Sequence, residues 1–586
     1  MRIPVLLAFL TLTLTLTLCG AVDAQAQEPA SQPKEEAWEG RLDLGGGISL
    51  RLVVHLTPSK DGALTATFDS PEQGAVGIKV DSPKRDKTTL SFEIPKIGAK
   101  FAGKLNAEED EAVGEFMQAG KSFPLTLKLV PPGPVEFWEG KLAVRAGLEL
   151  RLVLRVTKDP KDKTSRASFS SPDQTPAEFG ADTFTLDKDV LSFTVRKIGG
   201  SFTGKLNATA TEATGEWKQG GAAFPLSLTR KDKLTEVNHP QTPKPPFPYA
   251  EEEVEYRNEE AKIKLAGTLT TPEGPGPFPA VILISGSGAQ DRDESLLGHK
   301  PFLVLADYLT RRGVAVLRVD DRGVGGSTGS TITSTSEDFG KDVLAGVAFL
   351  KSQPKIDGRK IGLIGHSEGG LIAPMVAVKS DDIAFIVLMA GTGLPGDEIL
   401  ALQAKLIGKA MGAKDEQLSQ SLDLQKKLMA VAKAEKDDKA ATKRMKELIE
   451  ETIKALPEDE RKELAKMKSQ GDAELAVLRT PWFRYFLSFD PRPTLAKVRC
   501  PVLAIVGEKD LQVPPKENLA EIEKALKSSG NSRVVLKELP GLNHLFQTCR
   551  TGAPSEYASI EETIAPAALE IIGDWIRDQA KGGPAS

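Results

Sequence analysis

Between residues 37 and 230, apolar and polar side chains alternate in short runs separated by clusters of Gly, Pro, Asp and Ser. A period of two residues is typical of strands that are buried on one face, so this pattern predicts an all-β region. In its first half we place eight strands, over residues 38–44, 49–57, 63–69, 75–80, 88–94, 100–105, 112–117 and 124–130.

The β region contains the same pattern twice. AWEGRLDL at Ala37 pairs with FWEGKLAV at Phe137, and KIGAKFAGKLN at Lys96 pairs with KIGGSFTGKLN at Lys197. This spacing indicates a duplicated domain rather than a short-period solenoid. We predict two eight-stranded, barrel-like repeats, over residues 37–130 and 137–230, because closing a barrel removes exposed strand edges. Their Trp-x-Gly start resembles that of lipocalin barrels. Both a cavity for an unknown ligand and a packed accessory module fit the pattern.

Beyond the repeats the pattern changes. Five prolines between Pro240 and Pro248 predict an extended linker over residues 236–250. From residue 251 to residue 582, apolar runs alternate with helical patterns, which is typical of a parallel α/β sheet. Strands are predicted over residues 280–285, 314–319, 360–364, 383–389, 501–506 and 533–539, and helices over residues 301–311 and 337–351.

Composition narrows the classes of function. The 586 residues exceed what one hydrophobic core supports, so the chain is multidomain. A hydrophobic content of 40% and a charged content of 27% fit a folded globular protein. Because the chain has 76 Lys and Arg residues against 81 Asp and Glu residues, it lacks the cationic surplus that nucleic-acid binding needs.

The amino-terminal residues predict export. One basic residue, an apolar run and the small-residue stretch AVDAQAQ resemble a secretory signal peptide over residues 1–24. We therefore expect a periplasmic or extracellular protein with no integral membrane segment after cleavage. Cys500 and Cys549 are expected to be buried free thiols.

The sharpest chemical signal is Gly365-His366-Ser367-Glu368-Gly369, which follows a predicted strand and opens a helix. Its glycines permit the tight turn that exposes a serine nucleophile. A serine hydroxyl needs a base, and His544 is the sole histidine after Ser367 in the sequence. Asp510 follows an apolar strand and is the candidate acid that orients the base, with Glu508 as its competitor.

An oxyanion hole requires two backbone donors. The first is the N–H of Glu368, next to the nucleophile. The second is assigned to Ser287 in the loop ILISGSGAQDRDE, with Gly288 as the alternative. No paired His or Cys spacing and no phosphate-binding motif occurs, so we expect neither a metal nor another cofactor.

The motifs SGSGAQDRDE, LRVDDRGVGGSTG, GHSEGG, VGEKDLQVPP and NHLFQ together resemble bacterial α/β-hydrolase esterases of the prolyl-oligopeptidase and serine-aminopeptidase-like branch. The resemblance covers about residues 251–580. It implies hydrolysis of a small-molecule carboxylic ester through an acyl-enzyme. In this superfamily a histidine commonly precedes the oxyanion-loop glycine, whereas this chain has Ser285 there.

The stretch 393–490 interrupts the sheet pattern. Residues 397–480 are rich in charge and contain no aromatic residue, which predicts amphipathic helices. TPWFRYFLSFDP follows, and Trp482, Phe483 and Phe486 are candidate substrate-binding residues. By the same resemblance this insertion is a helical cap over the site.

We therefore expect an exported serine esterase that favours short to medium acyl chains. Two alternatives stay open. One is a peptidase with the same triad that cleaves small peptides or amides, and the other is a binding protein that acts through its β repeats.

Overall fold

A computed structural model describes residues 36–581 with interruptions, and the predicted signal peptide lies outside the described residues. The interruptions are residues 46–47, 59–63, 71–74, 95–96, 119–120, 131–134, 146–147, 159–164, 172–177, 188, 220–221, 235–238, 411, 456–474 and 529. The chain divides into two compact units, and the boundary falls between residues 235 and 236.

The first β domain is a closed barrel of eight sequential antiparallel strands, as the sequence predicted. The strands are β1 Glu36–Gly45, β2 Ile48–Pro58, β3 Leu64–Ser70, β4 Ala75–Arg85, β5 Thr89–Ile94, β6 Ala99–Leu105, β7 Glu111–Gln118 and β8 Lys121–Val130. Strand β1 pairs with both β2 and β8, with Trp38 opposite Val54 and Leu129, and this closes the ring.

Large apolar side chains fill the first barrel. Trp38, Phe68, Phe92, Phe101 and Phe116 are buried in one cluster with the aliphatic residues of the inner face. Alternate residues of each strand point inward, so the period of two seen in the sequence supplies this core.

Within its described residues, the second β domain has nine strands rather than the predicted eight. They are β9 Val135–Arg145, β10 Leu148–Lys158, β11 Ser165–Ser170, β12 Glu178–Gly180, β13 Thr183–Asp187, β14 Val190–Val195, β15 Gly200–Leu206, β16 Glu212–Gln219 and β17 Ala222–Lys231. The short strands β12 and β13 form the two ends of the sheet and are separated only by Ala181 and Asp182. The Ala181 N–H donates to Ala167 and the Asp182 N–H donates to Thr194. One interrupted segment thus contacts both β11 and β14.

The carboxy-terminal unit is built on an eight-stranded sheet in the order β18-β19-β21-β20-β22-β23-β24-β25. Its strands are β18 Tyr249–Asn258, β19 Ile263–Pro272, β20 Phe278–Ile284, β21 Ala315–Val319, β22 Ile356–His366, β23 Ile383–Met389, β24 Val502–Gly507 and β25 Val534–Leu539. Six neighbouring strands are parallel: β21, β20, β22, β23, β24 and β25. The antiparallel pair β18 and β19 was not predicted, because its many charged and threonine residues lack the long apolar runs of the central strands.

Helices cover both faces of this sheet. They are α1 Pro301–Thr310, α2 Ser336–Lys351, α3 Glu368–Ala377, α4 Gly396–Ala410, α5 Asp415–Ala434, α6 Asp438–Lys454, α7 Pro481–Ser488, α8 Arg492–Leu495, α9 Pro515–Ser528 and α10 Pro566–Lys581. Helices α2, α3 and α9 pack in one apolar cluster and α1 and α10 in another. A sheet covered on both faces explains why its central strands are continuously apolar.

The predicted cap corresponds to helices α4 to α7, which are inserted between β23 and β24. These helices share an apolar cluster with Leu371 and Met375 of α3. Residues 456–474 of the predicted cap lie outside the described residues. No helix in the described part of the chain is both long and apolar enough to span a bilayer.

The described end of the predicted linker packs on the α/β domain. The Gln241 side chain accepts hydrogen bonds from the N–H groups of Thr563 and Ile564 and donates to the Ile564 carbonyl. The His239 ring lies 4.2 Å from the His299 ring. From His239 onwards this segment is thus part of the carboxy-terminal unit.

Candidate active site

Ser367 lies on a strained turn between strand β22 and helix α3. Its φ is 52° and its ψ is −113°, a conformation that non-glycine residues rarely adopt. Glycines on both sides make the turn sterically feasible: a Cβ on Gly365 would lie 1.9 Å from the Gly369 carbonyl oxygen, and one on Gly369 would lie 2.1 Å from that of Ile284. The sequence Gly-His-Ser-Glu-Gly-Gly therefore folds into an elbow that holds the serine at the carboxyl edge of the sheet.

His544 lies on the loop after β25 and is paired with Asp510 from the loop after β24. Its Nδ1 is 2.8 Å from Asp510 Oδ2, and both side chains are buried. Asp510 Oδ1 accepts hydrogen bonds from the backbone N–H groups of Gln512 and Val513, each at 2.8 Å. With Nδ1 donating to the carboxylate, Nε2 is left as the basic nitrogen.

The alternative acid from the sequence, Glu508, has a different partner. Its Oε2 accepts a hydrogen bond from the backbone N–H of Gly541 at 2.8 Å. Of the two candidate acids, the one in contact with the imidazole is Asp510.

Ser367 and His544 line one cavity of about 90 Å³. Cap residues Ile399, Leu400 and Phe486 form part of its apolar wall. Of the three aromatic residues that the sequence proposed for substrate binding, Phe486 lines this cavity. Trp482 and Phe483 do not: Phe483 is buried in the cap cluster, and Trp482 donates a hydrogen bond to Glu368.

Glu368 and Ser287 lie at the same cavity. Their backbone N–H groups have no acceptor among the described residues, which leaves both available to a ligand. The Gly286 N–H is already bound to Glu294 Oε1 at 2.7 Å, and Gly288 lines a separate cavity under the loop. Between the two sequence alternatives for the second donor, the geometry favours Ser287.

A second buried pair, Glu294 and His366, lies behind the candidate triad. His366 Nδ1 is 2.9 Å from Glu294 Oε1, and its Nε2 is 3.1 Å from the His544 carbonyl oxygen. Burial disfavours the imidazolium, but the charge and hydrogen bond of Glu294, the His544 carbonyl and the charge of Asp510 together outweigh it and raise the pKa of His366. Because Glu294 also accepts from the Gly286 N–H, the pair connects the loop that carries Ser287 to the loop that carries His544. The sequence did not predict a role for Glu294, although its position in the DRDE motif could have indicated one.

A chain of polar side chains, also missed from the sequence, links the cap to the Asp510 loop. Gln403 of helix α4 donates to Gln512 Oε1 at 3.1 Å, and Gln512 Nε2 donates to the Tyr557 hydroxyl at 3.1 Å. All three residues line the cavity, and burial raises the pKa of Tyr557. Within the described residues, no group of three or more His, Cys, Asp or Glu side chains is placed to hold a metal ion.

Residues 281–559 match the alpha/beta hydrolase family. Among characterised proteins, esterase EstD of Thermotoga maritima is 28% identical over 285 residues, which cover 48% of this chain and 58% of that protein. This chain therefore spans less than two thirds of that relative.

Two solved structures are also similar. The esterase Pf2001 of Pyrococcus furiosus matches 59% of this chain and 99% of its own, at 18% identity and a TM-score of 0.35. Est1E of Butyrivibrio proteoclasticus, solved with ferulic acid bound, matches 56% of this chain and 100% of its own, at 17% identity and a TM-score of 0.32. The family match covers the parallel strands from Val281 onwards, the elbow and the cavity described above, and this part of the chain has the fold of an alpha/beta hydrolase.

Proposed function

We propose that this domain hydrolyses small-molecule carboxylic esters, with Ser367 as nucleophile, His544 as general base and Asp510 as the residue that orients the base. The observation that carries the proposal is the 2.8 Å contact between His544 and Asp510 beside a cavity that Ser367 also lines. The esterase relatives support the same class of substrate.

In the proposed reaction, Ser367 Oγ attacks the ester carbonyl while His544 Nε2 takes its proton. The tetrahedral oxyanion accepts hydrogen bonds from the N–H groups of Glu368 and Ser287. The intermediate collapses, His544 returns the proton to the leaving alcohol, and an acyl-Ser367 ester remains. Water, deprotonated by His544, then attacks this ester, releases the carboxylic acid and restores the serine.

We further propose that the enzyme is exported and prefers short to medium acyl chains. Export rests on the signal-like residues 1–24. The acyl preference is supported by the small cavity and its apolar wall of Ile399, Leu400 and Phe486.

Hydrolysis of p-nitrophenyl acetate, butyrate and octanoate, compared with aminoacyl p-nitroanilides, tests the proposal. Ser367→Ala should lower kcat for the esters by about 10⁶-fold. Ser352→Ala, which alters an exposed serine after helix α2, is the matched control and should retain wild-type rates. Near-native ester turnover by Ser367→Ala would show that the nucleophile is wrong. Faster cleavage of the anilides than of the esters would instead indicate a peptidase.

A further inference from the structure

The side chain of Glu368, at the start of helix α3, contacts two other segments beside the candidate oxyanion hole. Its Oε1 accepts from the Ser336 hydroxyl at 2.6 Å, at the start of helix α2. The indole Nε1 of Trp482, in cap helix α7, lies 2.8 and 2.9 Å from its two oxygens. Ser287, in the oxyanion loop, lines the same cavity as Glu368.

Burying the Glu368 carboxyl costs free energy, so its presence at this position requires an explanation. Glu368 is 3% exposed, and no Lys or Arg among the described residues forms an ion pair with it. Burial raises the pKa of Glu368, and the hydrogen bonds from Ser336 and Trp482 act in the opposite direction. A buried acid held only by neutral donors stabilises the fold less than an apolar side chain of the same size would. Its position points to a role in the reaction.

These contacts anchor the residue that supplies one of the two proposed oxyanion donors. Glu368 supplies that donor through its backbone N–H, and its carboxyl forms a bridge between Ser336 of helix α2 and Trp482 of the cap. Donors must lie within a few tenths of an ångström of their catalytic positions to stabilise a developing charge. A side chain that is held from two sides fixes the position of its own backbone N–H.

The cap contributes to the same bridge. Trp482 stacks on Phe486 with ring centroids 5.7 Å apart, and Phe486 lines the cavity. The indole N–H therefore fixes the cap's cavity wall and the Glu368 carboxyl in one arrangement. Opening of the cap would remove this donor from Glu368.

Building on the proposed esterase function, we propose that Glu368 is a positioning residue whose side chain holds the oxyanion hole in its catalytic geometry, and that docking of Trp482 completes it. The cap thereby acts on catalysis through Glu368 as well as by covering the substrate. Loss of either side chain should weaken transition-state binding more than substrate binding.

The test uses the full chain with Glu368→Leu, Glu368→Gln, Trp482→Phe and the double variant Glu368→Leu/Trp482→Phe. Trp575→Phe, which changes a partly buried tryptophan far along the chain in helix α10, is the matched control. Active sites are counted by the p-nitrophenol released on reaction with a p-nitrophenyl phosphonate, so that a smaller folded fraction does not mimic a slower enzyme.

We expect Glu368→Leu to lower kcat per active site by about 10- to 100-fold while KM changes less than about threefold. The Ki of a trifluoromethyl ketone should rise by a similar factor. Glu368→Gln retains an acceptor for Trp482 and Ser336, so it should recover most of the rate. Trp482→Phe should cost about tenfold, and the double variant should be no slower than Glu368→Leu because both changes break one bridge.

Two results would overturn this proposal. One is a wild-type kcat per active site in Glu368→Leu, and the other is a double variant in which the two losses multiply. If the wild-type protein neither reacts with the phosphonate nor cleaves esters, the proposed esterase function itself fails. That outcome is separate from a failure of the Glu368 bridge in an active enzyme.

Discussion

The imidazole of His544 donates to the Asp510 carboxylate across 2.8 Å, although 34 residues separate the two along the chain. Two backbone N–H groups, from Gln512 and Val513, fix the carboxylate from its other oxygen. The acid is therefore held rigidly and determines which nitrogen of the imidazole carries the proton.

Replacing this acid should disable the base without unfolding the domain. Asp510→Asn keeps the shape of the side chain but allows the wrong tautomer of His544, so kcat for p-nitrophenyl butyrate should fall by about 10⁴-fold. Glu508→Gln, which alters the competing acid, should stay within about twofold of wild type. Equal losses in the two variants would contradict the assignment of the acid.

The elbow glycines should be intolerant of any side chain. A Cβ at Gly369 would lie 2.1 Å from the Ile284 carbonyl oxygen, in rigid backbone, so Gly369→Ala should cost more than about 4 kcal/mol of unfolding free energy or prevent folding. Gly541 has a φ of +72°, but a Cβ there would meet no atom within 4 Å, so Gly541→Ala should cost only about 1 kcal/mol. Urea unfolding followed by circular dichroism measures both, and similar costs would show that the close approach is unimportant.

Asp321, behind the oxyanion loop, should make stability depend on pH. Burial, with smaller contributions from the charges of Glu368 and Glu294, raises the pKa of Asp321 to about 8. The folded state therefore keeps a proton that the unfolded state loses near pH 4. Stability should fall as the pH rises from about 4 to about 8, by at most about 1.4 kcal/mol per pH unit, and level off above.

Asp321→Asn cannot lose a proton, so it should flatten this dependence. The measurement is the unfolding free energy in urea between pH 5 and pH 9, where Asp381→Asn serves as the exposed control. A slope that is unchanged in Asp321→Asn would assign the pH dependence to other groups.

Truncating Trp38 should destabilise the first barrel and leave ester turnover unchanged. Trp38 is fully buried in the barrel core, so Trp38→Ala should cost about 3 to 5 kcal/mol in the unfolding of that domain. The first barrel and the nine-stranded sheet belong to one compact unit, and the α/β domain belongs to the other. Differential scanning calorimetry should show one transition shifted to lower temperature, and the kcat for p-nitrophenyl butyrate at 25 °C should not change. A parallel loss of turnover would show that the first barrel shapes the site.

The local pattern of the sequence was sufficient for most elements. Alternation predicted the eight strands of the first barrel, and apolar runs predicted the six parallel strands of the α/β sheet, because burial on one face or on two imposes those patterns directly. The pattern failed to predict elements that are stabilised by tertiary contacts and not by a regular buried face. Strands β18 and β19 are rich in charged residues and threonine. The break in the strand at Ala181 and Asp182 does not interrupt the alternation of apolar and polar residues in the sequence.

By itself, the sequence determined the elbow around Ser367, since its glycines are required locally by the turn, and it determined that His544 is the one histidine after that serine. Only the tertiary structure decided which acid meets the imidazole, that Glu294 binds His366 from 72 residues away, and that Trp482 binds Glu368 from 114 residues away. The reason is physical: a turn depends on neighbouring backbone angles, whereas a hydrogen bond between distant side chains depends on how the sheet, its loops and the cap pack together.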